Sequence, residues 1–340
     1  MNRLSLAVVS SVFLSSVLAP VCFAAASKDE VRRFGDWFAA CDNGLDCAAG
    51  SLVPDGDSGA TTVLSFHRAA AATAEPEFEI LLPEGTTMPD RYEVDGEPVN
   101  LHPERKDDWL RFSTEDVPEL VAAMRKGSVL ALVDEGGEPI ATASLAGATA
   151  AMLAIDEAQN RLGTTTALVR RGSKSPDTIP PAPALPEVDA VKTSRKAGPS
   201  LPADKAGWLR SDAQCDGSES SVEEFALDGE RSLVLIACDS AAYNFTSLAL
   251  TIDKAGETAA PEFDHLESDE DDGRLNNATF QDGVLYTSML GRGVGDCGQS
   301  RSYVWDGQHF VTLEVARQDI CGGNPDWPVL YRAAPVWREE

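Results

Sequence analysis

Short apolar runs, separated by turns rich in glycine and aspartate, recur along most of the chain. Runs of this length between such turns are typical of antiparallel β-strands. Glu135, Gly136 and Gly137 stand between two of these runs and predict a hairpin. In the first half of the chain we predict strands at residues 62–67, 78–82, 92–99, 109–112, 128–133 and 139–144.

Two stretches of the first half repeat their apolar residues at helical spacing instead. One helix is predicted at 117–126, because Ser113 and Asp116 are placed like the two ends of a capping box. A second helix is predicted at 145–162, with Ser144 as its N-cap. Its apolar residues share one face, which predicts packing on a sheet and no cofactor role: Leu145, Ala148, Met152, Ile155 and Leu162.

The second half of the chain is predicted to be nearly all β-structure. Asp-Gly pairs lie between its apolar runs, and this dipeptide tolerates the positive φ angles of tight hairpins. We therefore predict an antiparallel meander folded as a sandwich or a barrel. Its strands are predicted at residues 233–237, 247–252, 284–290, 302–305, 310–315 and 329–332.

The composition changes between the two halves. Residues 171–203 are rich in proline, serine and alanine and poor in large apolar residues, which is typical of an extended, semi-rigid linker. The fold class predicted for the whole chain is α+β, mostly β, in two disulfide-stabilised domains. The segments are a signal peptide at 1–26, an N-terminal α+β domain at 27–170, the linker at 171–203 and a C-terminal β-rich domain at 204–340.

The first residues follow the three-part pattern of a secretory signal peptide. Arg3 gives a basic start, residues 4–18 are apolar or small, and small residues follow at 24–26. This apolar stretch is shorter than the roughly 18 residues that a membrane span needs. Cys22 does not fit a lipoprotein signal and is expected to leave with the leader. We predict a periplasmic protein, with an extracellular one as the alternative.

The cysteines predict disulfides in an oxidising compartment. The chain has 7 cysteines, and the six beyond Cys22 make an even number in an exported protein. Sequence order and the domain division favour three pairs. A metal site is not predicted, because the chain has no C-x-x-C motif and no histidine within four residues of a cysteine. The predicted pairs are Cys41–Cys47, Cys215–Cys238 and Cys297–Cys321.

The charge of the chain argues against nucleic acid as a partner. Lys and Arg total 28 against 55 Asp and Glu, which gives a formal net charge of −27 at pH 7. Such a surface repels polyanions and anionic membrane faces. The same acidity also serves solubility.

Three motifs suggest chemistry but lack the context for it. Residues 56–59 (GDSG) resemble a serine-protease loop, yet no histidine precedes Ser58. The glycines at 291–295 lead toward a strand, whereas a dinucleotide loop leads into a helix. The acidic run at 264–272 does not fit the EF-hand register. We therefore predict no catalytic constellation, no resident metal and no cofactor.

Several cysteine-anchored motifs resemble exported bacterial proteins of the family catalogued as domain of unknown function 1176. They are FGDW at 34–37 with cysteines at 41 and 47, CDSAAYN at 238–244, RGVGDCG at 292–298, WDG at 305–307 and CGG at 321–323 followed by WP at 327–328 and YR at 331–332. Ala241 stands where the family pattern has glycine. The N-terminal half alone is also similar to invasion-associated locus B proteins, which would imply an envelope role in host contact. The first resemblance implies an exported protein and no particular activity.

The function predicted from these observations is a non-catalytic envelope protein that binds another envelope protein or a small ligand. Loops fixed by disulfides on a rigid sheet are good platforms for recognition. One alternative is an envelope hydrolase with a carboxylate or calcium-assisted site, and another is a structural or stress-protective protein. The predicted binding residues, which could equally serve to fix the loops, are Tyr243, Asn244, Arg292, Asp296 and Trp305.

Overall fold

The computed structural model describes residues 30–56, 59–193, 198–215, 217, 221–264 and 273–339. The predicted signal peptide with Cys22 lies outside the described residues, as do Asp57 and Ser58 of the GDSG loop and residues 265–272 of the acidic run. The described part is mostly β-structure in antiparallel sheets, with three α-helices and one parallel strand pair. The predicted α+β, mostly β class is confirmed.

Two antiparallel sheets and two helices share one continuous core in the first half. Their elements are β1 (Arg32–Phe34), β2 (Trp37–Cys41), β3 (Cys47–Ser51), β4 (Leu64–Arg68), β5 (Glu77–Leu81), β6 (Arg91–Val94), β7 (Glu97–Val99), β8 (Glu104–Lys106), β9 (Trp109–Arg111), α1 (Val117–Met124), β10 (Val129–Val133), β11 (Pro139–Ser144) and α2 (Ala148–Ala158). The sheets have the orders β1-β2-β3-β4-β5-β9-β8 and β11-β10-β6-β7. Trp37, Phe66, Leu130 and Met152 meet in the core, each fully buried.

The second half contains a β-sandwich. Its elements are β12 (Glu187–Val191), α3 (Ala203–Asp212), β13 (Val222–Ala226), β14 (Arg231–Ser240), β15 (Phe245–Asp253), β16 (Thr258–Ala259), β17 (Arg274–Asn276), β18 (Thr279–Gln281), β19 (Val284–Leu290), β20 (Gly298–Trp305), β21 (Phe310–Gln318), β22 (Val329–Arg332) and β23 (Ala334–Arg338). One sheet has the order β13-β14-β15-β16 with β17 beside β15, and the other runs β18-β19-β20-β21-β22. Leu235 and Tyr303 meet in the core between them.

The second predicted helix begins three residues later than expected. Ser144 was predicted as its N-cap, but the N-cap is Gly147, whose φ of 108° favours glycine. The Ser144 hydroxyl instead donates to Asp36 Oδ2 at 2.7 Å and accepts from the Ala146 N–H. The helix also ends at Ala158, before a loop that contains the buried Arg161. The prediction of 145–162 was therefore too long at both ends.

Helix α3 was not predicted, and its sequence explains why. Leu209 is its one buried residue, so its apolar positions do not repeat at helical spacing. The chain offered no hydrophobic stripe that would distinguish this helix from a loop.

The segment predicted as a linker contains ordered structure of its own. Residues Pro176–Thr178 form a 3₁₀ turn, and β12 pairs in parallel with β23 near the end of the described chain. Ala190 of β12 packs on Val304, so this strand pair covers part of the outer face of the β18–β22 sheet. Apolar residues before 170 and after 187 form separate clusters, which is consistent with the two-domain interpretation.

Candidate functional site

A short segment of the second half, residues 321–328, lies against the outer face of the first sheet; we call it the docking segment. The outer face carries small residues beside His67, since Ala48 stands opposite His67 and Gly50 stands opposite Ser65 on β3 and β4. A Cβ on Gly50 would lie 2.4 Å from Asn324 Nδ2. Only glycine permits this close approach.

Asn324 anchors the docking segment where β3 and β4 diverge. The side chain is fully buried, and its Nδ2 donates to Ser51 O at 3.0 Å and to Leu64 O at 3.1 Å. Its Oδ1 accepts the Asp326 N–H at 3.0 Å. The amide thus replaces ladder hydrogen bonds that the two strands no longer make with each other.

The loop after β19 holds the other side of the docking segment. Asp296 is 2% exposed; it accepts from Arg292 Nε at 2.7 Å and from the Gly323 N–H at 2.5 Å. The hydrogen bond from Arg292 is the main reason that the pKa of Asp296 lies below its ordinary value, and the Gly323 N–H adds to it. Trp327 Nε1 donates to Gly295 O at 3.1 Å. The docking segment is therefore fixed from both sides.

Three disulfides cross-link the described chain. They are Cys41–Cys47, Cys215–Cys238 and Cys297–Cys321, the pairing that sequence order favoured. The first closes the hairpin between β2 and β3, and the third ties the start of the docking segment to the loop after β19.

A cleft of about 650 Å³ opens between the docking segment, strands β21 and β22, and the ends of strands β3, β4 and β5. Its volume lies in the range of small-molecule sites, about 300–1,000 Å³. Carboxylates outnumber cations in its lining: Asp42, Asp46, Glu75, Glu77, Glu314 and Asp326 against His67, Arg68 and Arg332.

One wall of the cleft is an ion-pair cluster that joins the two halves of the chain. Arg332 binds Asp42 and Asp46, the latter at 2.5 Å. The Asn43 side chain accepts from Arg332 N at 2.8 Å and donates to Arg332 O at 2.9 Å. Burial is the largest influence on the pKa of Arg332 and lowers it, but Asp42 and Asp46 together outweigh burial and raise the pKa above its ordinary value. Both aspartates therefore already have a cationic partner.

A buried polar cluster forms the floor. Arg68 is 2% exposed, and its Nη2 lies 2.9 Å from Asp156 Oδ1 while its Nε donates to Gln159 Oε1 at 2.7 Å. Arg161 is fully buried and donates to Gln159 and to carbonyls of the loop after β4, such as Ala71 O at 2.6 Å. Burial and, next, the charge of Arg68 lower the pKa of Arg161 to about 10.

An ion pair between His67 and Asp326 closes the other wall. The His67 Nε2 and the Asp326 Oδ2 are 2.6 Å apart. Burial is the largest influence on the pKa of His67 and lowers it, but Asp326, Glu79 and Glu77 together outweigh burial and raise the pKa above 6.5. The same contact, opposing burial, keeps the pKa of Asp326 below 3.8.

This pair predicts a pH dependence of docking. The raised pKa of His67 gives stability that is complete below 6.5 and is lost as the pH rises through the folded value, whereas Asp326 contributes fully above 3.8. The pair should therefore stabilise most between these two values, by about 0.5 kcal/mol because His67 is half exposed. In an NMR titration, Asp326→Asn should lower the pKa of His67, because the variant lacks the carboxylate that raises this pKa against the effect of burial. An unchanged titration of His67 would contradict the pairing.

Ser65, Asp326 and His67 do not form a hydrolytic triad. Ser65 and His67 lie on the same face of β4, and both interact with Asp326. A nucleophilic triad needs the histidine between serine and carboxylate. Here the carboxylate is central, so the histidine is not placed to accept the serine proton.

Four of the five predicted binding residues meet at one corner of the second half, where they fix loops. Tyr243 Oη donates to Gly291 O at 3.3 Å, and Asn244 Nδ2 donates to Leu290 O at 3.0 Å, while Arg292 binds Asp296. Trp305 lies at the opposite end of β20, where it is 3% exposed and donates to Asp228. None of the five lines the cleft, although Asp296 positions one of its walls. Their role in binding stays a prediction.

The sequence did not single out the residues that line the cleft. His67 and Asp326 are 259 positions apart, and Asp42 and Arg332 are 290 apart. The usable signals were weak: the small residues at 48–50, and the cysteine-anchored motif at 321–332 that contains both Asp326 and Arg332.

Metal-ligand clusters and membrane-spanning helices are both absent from the described residues. Within residues 30–339, apart from the gaps given above, no three His, Cys, Asp or Glu side chains are grouped as metal ligands. No helix in that part of the chain has the length and apolarity to cross a membrane.

Comparisons with known proteins agree with the resemblance seen in the cysteine motifs. A family model described as "Protein of unknown function (DUF1176)" matches residues 31–334. The uncharacterized protein YpfG of Escherichia coli (strain K12) is 32% identical over 332 residues, which cover 88% of this chain and 92% of that protein. No solved structure matches the chain. The resemblance to invasion-associated locus B proteins is not shown by these comparisons.

Proposed function

The chain belongs to the DUF1176 family of proteins of unknown function, and from that premise we propose that it is an exported, periplasmic binding protein whose cleft takes a cationic ligand. The family match includes both walls of the cleft, from Asp42 to Arg332. The three disulfides support export, because such bonds persist in oxidising compartments.

The observation that carries this proposal is an excess of carboxylates in the cleft. Asp42 and Asp46 bind Arg332, and Asp326 binds His67, while the remaining cation, Arg68, binds Asp156 behind the floor. Among the described residues, the other three carboxylates have no ion-pair partner within 4 Å: Glu75, Glu77 and Glu314.

Glu314 is the carboxylate whose chemistry points most directly to a cation. Burial raises its pKa above 4.5; Arg332 opposes this effect and Asp42 adds to it. Arg332 stands opposite Glu314 but forms its ion pairs with Asp42 and Asp46. A further positively charged group beside Glu314 would therefore give this half-buried carboxylate an ion pair of its own. An acidic concave wall also concentrates cations near the opening.

A small amine is the simplest probe of this proposal. Isothermal titration of the full mature protein with spermidine should show one binding site, with affinity falling as salt is added because the attraction is electrostatic. Glu77→Gln and Glu314→Gln should each weaken binding about tenfold, the equivalent of 1.4 kcal/mol.

Glu138→Gln is the matched control, since Glu138 is exposed on the turn between β10 and β11. It removes the same charge far from the cleft and should leave the affinity unchanged. Equal effects of all three substitutions would mean that net charge, and not the cleft, attracts spermidine, and the proposal would then fail.

The hydrolase alternative has less support. The order of Ser65, Asp326 and His67 is wrong for nucleophilic catalysis. A binding role requires only the cleft and its charge.

A further inference from the structure

A second polar cavity lies on the outer face of the β18–β22 sheet, next to the cleft. It has a volume of about 190 Å³ and shares Glu314 with the cleft. Six of its nine lining residues carry hydroxyl groups, and the other three are Asn277, Arg301 and Glu314. The hydroxyl groups that matter for the following argument are those of Thr279, Tyr286 and Ser302. We call this cavity the hydroxyl groove.

The strand register arranges these side chains in a straight row that ends in the cleft. Thr279 stands opposite Tyr286, Tyr286 opposite Ser302, Ser302 opposite Glu314, and Glu314 opposite Arg332. Directly opposed residues of an antiparallel sheet project from the same face, and neighbouring strands are about 4.8 Å apart. The spacing between neighbouring side chains in the row is therefore close to the length of one sugar ring.

Ser302 and Tyr286, two residues of the row, are available for contacts with a ligand. Ser302 is 7% exposed, and within the described residues its hydroxyl makes no hydrogen bond. The Tyr286 ring is 47% exposed on the same face. An aromatic ring that is flat, amphipathic and open to solvent packs well on the C–H face of a sugar, while hydroxyls exchange hydrogen bonds with its oxygens.

We infer that the ligand is an oligosaccharide with amine-bearing sugar units, which lies along the hydroxyl groove and places an amine beside Glu314. This inference rests on the proposed cation binding for the amine, and on the groove for the sugar. An extended basic peptide fits less well, because the row offers side-chain hydroxyls in place of the unpaired strand edge that a peptide backbone uses.

The test compares ligands that separate charge from sugar. Glucosamine oligomers of increasing length should bind with affinity that rises at least tenfold from one unit to four, whereas spermidine has the charge and no sugar. The fully N-acetylated tetramer has the sugar without the charge and should bind at least tenfold more weakly than the glucosamine tetramer. Tyr286→Ala should weaken the glucosamine tetramer about tenfold and leave spermidine unchanged.

Trp208→Ala is the control for loss of an exposed aromatic ring, since Trp208 is 61% exposed on α3. It should change neither affinity. If spermidine binds but oligomer length and Tyr286→Ala have no effect, the sugar inference fails and the cation proposal stands. If no cation binds, both fail. If tetralysine outcompetes the glucosamine tetramer and its binding also depends on Tyr286, the ligand is a basic peptide and the sugar inference is wrong.

Discussion

Replacing Asp156 with asparagine should lower the free energy of unfolding by about 3–5 kcal/mol, the usual result of removing one partner from a buried ion pair. Asp156 on α2 is fully buried beside two buried arginines. Its carboxylate accepts from Arg68 Nη2 at 2.9 Å and from the N–H groups of Leu168 and Val169. Asparagine would remove the stronger of the two carboxylate influences on both guanidinium groups and leave only that of Glu75.

The arginines cannot relieve this loss by releasing a proton near neutral pH. A guanidinium group keeps its proton in proteins even when it is buried. Both guanidinium groups would remain charged in a site closed to water, where an uncompensated charge is costly. The cleft floor, which Arg68 forms, should loosen together with the core.

Chemical denaturation at pH 7 measures the effect. Asp108→Asn serves as the control, because the Asp108 side chain is 76% exposed and lies 4.0 Å from its arginine; such a surface change should stay within about 0.5 kcal/mol. The double variant with Arg68→Gln should recover part of the loss, since it removes one of the unpaired charges. A loss for Asp156→Asn no larger than the control would show that the carboxylate is not the counter-ion of the cluster.

The sequence predicted the parts of the fold that depend on local pattern. Runs such as 284–290 and the glycine-bearing turn at 135–137 were placed correctly, because alternation and turn chemistry act between near neighbours. The disulfide pairs followed from sequence order. Helix α3 was missed because it has one buried residue, and the start of α2 was misplaced because Ser144 hydrogen-bonds to Asp36.

The candidate site could not be predicted in the same way, because it depends on pairings between distant residues. Arg68 and Asp156 look like ordinary surface residues of a strand and a helix until the loop after α2 covers them. Glu314 has no sequence feature that separates it from the other acidic residues of the chain. Its significance comes from the register that sets it opposite Ser302 on one side and Arg332 on the other.

The second large loss of stability is expected when the docking segment is released from the first sheet. Replacing Asn324 with aspartate should cost about 3 kcal/mol at pH 7, because two donors are lost and a charge is buried beside two carbonyl oxygens. The replaced group is fully buried, 3.0 Å from Ser51 O and 3.1 Å from Leu64 O. The docking segment should leave the outer face of the first sheet, and spermidine binding in the cleft should be lost with it.

The introduced carboxyl provides its own check through pH. Burial among carbonyl oxygens would raise its pKa in the folded state, so the protonated form, which can donate, is favoured there. The destabilisation should therefore be smallest at low pH and grow as the pH rises through the raised folded value. Asn100→Asp adds the same charge at an exposed position and should show no such trend. A penalty for Asn324→Asp that is constant from pH 4.5 to pH 8 would mean that the new side chain reaches water, and that Asn324 does not anchor the docking segment.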